Sequence, residues 1–268
     1  MKLLHRLLSL AVLLAGSTLA QAGAYTFTVE PSYPPEQAAE VYKPLLDYLK
    51  RSTGHDFNLN VPRNYHFYWR DLRQATKTDF VYEEPHFTDY RVARSGFEAL
   101  VRRADPGIYV LMADEANAEG GVNGLVGKRI VSMAAPSMGF ALLAEMFKNP
   151  IAQPEIRSEA LTWKDGVEMV FSGDAEAAMV PAFIAQQYPN LIEITRSREF
   201  SGSLVSAAPE VPAEVKQAVK DALLKLAEDP AAGEILAELG GTGFATADAK
   251  DFKGTERLLS GFFGYSKP

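Results

Sequence analysis

The sequence contains no cysteine. That excludes disulfides, thiol nucleophiles, iron–sulfur clusters and thiolate-bound zinc, and leaves stability to the apolar core. Histidine is scarce: His5 lies at the extreme N-terminus, and only His55, His66 and His86 follow. Lys and Arg number 27 against 34 Asp and Glu, a net charge of −7, so the basic stripe of a nucleic-acid-binding surface is missing. One small anion could still be held by local amide dipoles. Also absent are a His-Glu-x-x-His pair, a Walker phosphate loop and a Gly-x-Ser-x-Gly elbow, since Ser137-Met138-Gly139 lacks the first glycine. Beyond the N-terminus no run is long and apolar enough to span a bilayer, and no short-period repeat, low-complexity tract or long linker occurs.

The N-terminus is distinctive. MKLLHRLLSLAVLLAGSTLAQAGA has a basic start, an apolar run and small residues ending in Ala20-Gln21-Ala22. This is the layout of a secretory signal peptide over residues 1–22, with cleavage there or after Ala24. Export to the periplasm is expected. The mature chain of roughly 245 residues, close to half apolar, is long enough to bury its own core in one or two domains, and loss of Lys2 and Arg6 takes its charge to about −9.

Strand-like and helix-like segments then alternate. Tyr25–Val29 reads as a strand and Ser32–Arg51 as a helix, with Ala39, Tyr42, Leu46 and Leu49 on one face and Pro44 predicting a kink. Further strands are expected at 57–61, 78–82, 97–102, 108–112, 128–133, 157–162, 177–180, 191–195 and 203–207. Helices are expected at 65–75, 85–94, 136–147, 164–172, from about 181 to 188, 212–228 and on to 239. Gly120-Gly121-Val122-Asn123-Gly124 reads as a surface loop. This pattern predicts an α/β fold with largely parallel sheets.

Two strand ends carry the chemistry, as ligand sites do in open α/β sheets. Tyr82-Glu83-Glu84-Pro85-His86 offers an acid/base pair, oxygen and nitrogen metal ligands (Glu83, His86), or a pocket wall. On extended chain one glutamate should enter a cleft and the other face solvent. Pro136-Ser137-Met138-Gly139 opens a helix with Ser137 as N-cap, and the free amides there attract anions.

Five segments, in order and spacing, resemble the periplasmic solute-binding proteins of ABC importers, in the phosphate/phosphonate/phosphite-type branch. They are SYPPEQAAEVYKPLLDYL (32–49), DFVYEEP (79–85), LVGKRI (125–130), VFSGDAEAA (170–178) and LAEDPAAGEILAELGGTGF (226–244). The resemblance covers nearly the whole mature chain. It implies a two-lobed type II periplasmic binding protein fold with mixed, mostly parallel sheets. Lobe 1 would span 25–103 plus 203–268 and lobe 2 would span 104–202, with hinge crossings near 102–104 and 200–202. It implies a non-enzymatic protein, without cofactor and monomeric, that captures a small molecule for an ABC permease. Presentation of ligand to a membrane sensor kinase is the alternative, as is binding of a metal or cation by Glu83, Glu84 and His86. The implied ligand set is Tyr33, Tyr65, Tyr82, Glu83, Glu84, Ser137, Met138, Gly139 and Trp163.

The pocket departs from the family pattern. Phosphonate binders carry Ser-Thr-Ser-Gly where this chain has Pro136-Ser137-Met138-Gly139. A frequent histidine is replaced by Trp163, an acidic position by Pro181 or Ala182, and Glu83 and Glu84 are gained. Each lost charge-assisted hydrogen bond weakens oxyanion binding by about 1.5–3 kcal/mol. Tyr, Trp and Glu together suit an amine or other cation, while Arg63 or Lys164 could neutralise an anion.

Overall fold

The computed structural model describes residues 22–267, so the expected signal peptide lies, all but its last residue, outside the described residues. The chain opens with β1 (Ala24–Val29), α1 (Pro35–Thr53), β2 (Asp56–Asn60), α2 (Tyr65–Arg73), β3 (Phe80–Glu83), α3 (Pro85–Ser95) and β4 (Glu98–Arg103). It then builds β5 (Tyr109–Ala113), the single turn α4 (Glu115–Ala118), β6 (Arg129–Val131), α5 (Met138–Met146), β7 (Glu155–Arg157), α6 (Trp163–Phe171), β8 (Ala177–Pro181), the single turn α7 (Ala182–Ala185) and β9 (Ile192–Arg196). It returns through β10 (Leu204–Ala207), α8 (Ala213–Leu224), α9 (Ala232–Leu239) and β11 (Phe244–Thr246), and closes with the turn α10 (Ala249–Phe252) and a 3₁₀ turn, Thr255–Leu259.

One sheet has the order β2-β1-β3-β10-β4-β11 and the other β7-β6-β8-β5-β9. Both are mixed, but they are not mostly parallel. Pairs β1–β2, β1–β3, β6–β7 and β6–β8 run parallel, and the other five pairs run antiparallel. The cause is the double passage between sheets. β10 re-enters the first sheet between β3 and β4 and opposes both, and β5 opposes both of its neighbours. The two passages touch: Gly107 and Phe200 exchange backbone hydrogen bonds of 3.0 and 2.9 Å, and Arg103 N–H donates to Ser203 O at 2.8 Å. A Cβ on Gly202 would stand 2.5 Å from Asp105 O and 2.7 Å from Arg103 Cβ, so only glycine lets the strands lie this close.

Packing follows the periodicities. On β5, Tyr109, Leu111 and Ala113 face one core cluster while Val110 and Met112 face another. β8 alternates likewise, so both strands are buried on both faces and read as continuous apolar runs. Helix α1 continues through Pro44 and buries Ala38, Tyr42, Leu45, Tyr48 and Leu49. The expected stripe is thus off by one residue at two places, since Ala39 is exposed and Leu46 only half-buried. The strand expected at 157–162 instead ends at Arg157, and Thr162 caps α6 through a reciprocal pair of bonds with Asp165. The helix expected to reach 188 is only the turn α7.

Candidate ligand-binding cleft

Two adjoining cavities of about 60 and 40 Å³ lie between the sheets, where β3 ends beside the crossing strands. Their walls come from both sides: Tyr82, Glu84 and Ser203 from the first sheet, Tyr109 and Trp163 from the second. Tyr33 and Tyr42 add aromatic surface, and Arg103 and Glu238 line the larger cavity. The indole of Trp163 meets the Tyr109 ring edge-on at 5.6 Å.

The two adjacent glutamates have separate tasks. Glu83 borders the smaller cavity, but its carboxylate is committed to Arg91: Nε donates to Oε1 at 2.9 Å and Nη2 to Oε2 at 3.0 Å, and the Tyr68 hydroxyl adds a third donor. The side chain beside the cleft-facing one thus ends in a buried ion pair rather than in solvent, because α2 and α3 cover that face of β3. Glu84 turns to the cleft. Its Oε1 accepts from Ser203 Oγ at 2.9 Å; the Tyr109 side chain stands close enough to the carboxyl to lower its pKa, but makes no hydrogen bond of normal geometry to the buried Oε2.

A third carboxyl, Glu30, follows β1 directly. One oxygen accepts the Glu84 amide and the other the Tyr65 hydroxyl at 3.0 Å. Burial, then the nearby Glu84 charge, pushes the Glu30 carboxyl well above the usual range. Burial also raises Glu84, against the opposing pull of Arg103. Two buried carboxyls at such range resist carrying two negative charges together.

The other strand end looks different. Ser137 caps α5 as expected, its Oγ accepting from Phe140 N at 3.3 Å, but its hydroxyl donates to Met133 O at 3.0 Å. Met138 is buried in the core under the second sheet. Gly139 lies under the indole: a Cβ there would be 3.0 Å from Cζ3 of Trp163. None of these three lines either cavity. Trp163 therefore covers the start of α5, where free amides would meet an anion.

Of the expected ligand residues, Tyr33, Tyr82, Glu83, Glu84 and Trp163 border the cavities, while Tyr65 acts behind the wall as a donor to Glu30. His86 is fully buried, stacks on Phe87 and pairs through Nε2 with Pro136 O at 3.0 Å. Burial lowers it to about 4, so it is neutral. Glu83 and His86 thus serve different partners, and among the described residues no three His, Asp or Glu side chains are placed to hold a metal. Arg63 and Lys164 are exposed, and the cleft cation is Arg103. Glu30, Arg103, Tyr109 and Ser203 escaped the sequence reading. Glu30 follows β1 and Arg103 ends β4, so the carboxyl-end rule that singled out Glu84 would have found them too, whereas Ser203 precedes the start of β10.

The matched family model is that of the ABC transporter, phosphonate, periplasmic substrate-binding protein, over residues 27–252. PhnD1 from Prochlorococcus marinus in complex with methylphosphonate superposes with a TM-score of 0.74 at 14% identity, covering 88% of this chain and 97% of that one. A binding protein component of the ABC phosphonate transporter from Pseudomonas aeruginosa gives 0.73 at 14%, covering 89% and 86%. A Xanthomonas citri protein bound to ATP gives 0.67 at 15%, covering 89% and 96%. No curated protein matches the chain. The architecture is thus that of a two-lobed type II binding protein. The chain belongs to the phosphonate-type family of periplasmic substrate-binding proteins of ABC transporters, a family that binds a small ligand and works with a membrane permease.

Proposed function

We propose that this protein is exported and captures a small solute for an ABC importer by closing two lobes, 25–103 plus 203–268 and 104–202, about the crossings near 102–104 and 200–202. One observation carries this reading: each cavity is walled by side chains of both sheets, so rotation about the touching crossing strands would open or seal it. The solute carries a cationic group. Glu84 offers an unpartnered buried oxygen among tyrosines and a tryptophan, while Trp163 covers the amides that would serve an oxyanion. The test is solution X-ray scattering of the purified protein against amines, amino acids, phosphate and methylphosphonate. A compaction with an ammonium-bearing solute is expected. Compaction with methylphosphonate alone would reverse the ligand assignment, and none with any solute would remove the capture role.

A further inference from the structure

We infer that the solute is a small zwitterion, a primary ammonium joined by one or two carbons to a carboxylate, with the ammonium on Glu84 and the carboxylate on Arg103. This deepens the reading above and rests on it. The first support is charge. Glu83 and Arg91 are committed to each other, while Glu84 and Arg103 present a carboxyl and a guanidinium to the same cavity. Glu238 is exposed at the rim, where the Tyr33 hydroxyl donates to it at 3.3 Å. The inner walls are therefore polarised, with an acid at Glu84 and a base at Arg103. A lone cation would face Arg103 and a lone anion would face Glu84, whereas a zwitterion gives each wall its counter-charge.

The second support is separation. Arg103 and Glu84 line the same cavity, yet no carboxylate lies within 4.0 Å of the Arg103 guanidinium among the described residues. The residue is only 5% exposed. Its Nη1 donates to Leu239 O at 2.9 Å and to Gly240 O at 2.5 Å, while its buried Nε has no partner among the described residues. Asp105, the nearest other acid in charge terms, is engaged by the Thr242 amide and hydroxyl. Two opposite charges thus face one space without closing on each other.

Size and donor count narrow the class. The two cavities together are smaller than the roughly 150 Å³ that holds benzene, so they take a solute of no more than about six heavy atoms. One open guanidinium edge suits a carboxylate better than the three oxygens of a phosphonate. The unpartnered Glu84 oxygen calls for a hydrogen donor, which a primary ammonium supplies and a quaternary one does not.

Calorimetry on the purified protein near neutral pH tests this with glycine and β-alanine against ethylamine, acetate and methylphosphonate. At least one zwitterion should bind about tenfold or more tighter than each single-charge probe. Glu84→Gln and Arg103→Lys should each weaken it by roughly 10-fold or more, with Glu40→Gln, exposed and outside both cavities, leaving it unchanged. Ethylamine binding as tightly as the zwitterions would remove Arg103 from the site and leave only the cationic reading. Tighter binding of acetate or methylphosphonate, or no heat from either zwitterion, overturns the inference. Scattering then separates the two levels: compaction with another solute keeps solute capture alive, and none removes it as well.

Discussion

Replacing Arg91 should unfold the protein far more readily than replacing Glu84, although both belong to α3, Glu84 as its N-cap and Arg91 in its interior. The Arg91 and Glu83 side chains are 5% and 0% exposed, joined by two hydrogen bonds of 2.9 and 3.0 Å. Arg91→Ala leaves the buried Glu83 carboxyl with only the Tyr68 hydroxyl as partner. Breaking a buried pair from one side costs about 3–5 kcal/mol. At roughly 2–4 °C per kcal/mol for a chain of this size, the melting temperature should fall by about 6–20 °C. Urea unfolding followed by the fluorescence of Trp69 and Trp163, one on either side of the cleft, reports the loss. Glu84→Gln should move stability by no more than about 1 kcal/mol, because burial already disfavours its charge and one of its oxygens has no partner. The double variant Glu83→Leu/Arg91→Met should recover most of the Arg91→Ala loss, since a packed apolar pair often matches a buried ionic one. If Arg91→Ala unfolds within about 1 kcal/mol of the parent while Glu83→Gln abolishes solute binding, Glu83 is a ligand group and its assignment as a brace is refuted.

Glu30 gives a pH dependence. Its folded pKa is raised above 4.5, so its contribution is fully present below that value and is lost as pH rises toward the folded pKa. Glu30→Gln should flatten this decline in pH-dependent urea unfolding, and a parallel decline in both proteins would contradict it. His86 acts in the other sense. Its folded value of about 4 against 6.5 means that stability is lost as pH falls through that window, by about 3 kcal/mol in all. His86→Gln should remove much of the acid limb, read by the same titration. Trp163→Ala should expose the amides at the start of α5 and raise methylphosphonate affinity by about tenfold or more by calorimetry, the equivalent of one charge-assisted bond. Unchanged affinity would show that the indole does not shield that end.

Most elements were legible where periodicity was strong and bounded. Glycine closes α3 in the left-handed conformation at Gly96, and Ser137 caps α5 where the spacing placed it. Pairing direction was not legible. The same run Leu204–Ala207 could lie parallel or antiparallel to β3, and only the return of the chain through the crossings decides. β11 and the closing 3₁₀ turn are short and carry no period, and their place comes from tertiary contacts: Gly254 and Glu256 amides on Asp89, and Arg94 on Glu256. The cleft was half legible, because strand-end position marks a wall but not which of two adjacent glutamates meets a buried arginine eight residues on.

The departures from the family pattern act as one change. Covering α5 with Trp163 while keeping neutral walls would remove the reason for an anion to bind and give no reason for anything else to do so. Adding Glu84 beside Glu30 without Trp163 would set two carboxyls opposite open amides, which would tend to draw an acid group of the protein itself. On the proposed reading they shift the site's preference from the helix start on the second lobe to the strand ends on the first, where Glu30 lends the Glu84 amide an acceptor and Ser203 orients one carboxylate oxygen. The remaining oxygen of Glu84 then has an unmet hydrogen bond in an aromatic enclosure, and under that proposal its requirement, more than the cleft's overall acidity, would set the sign of the solute.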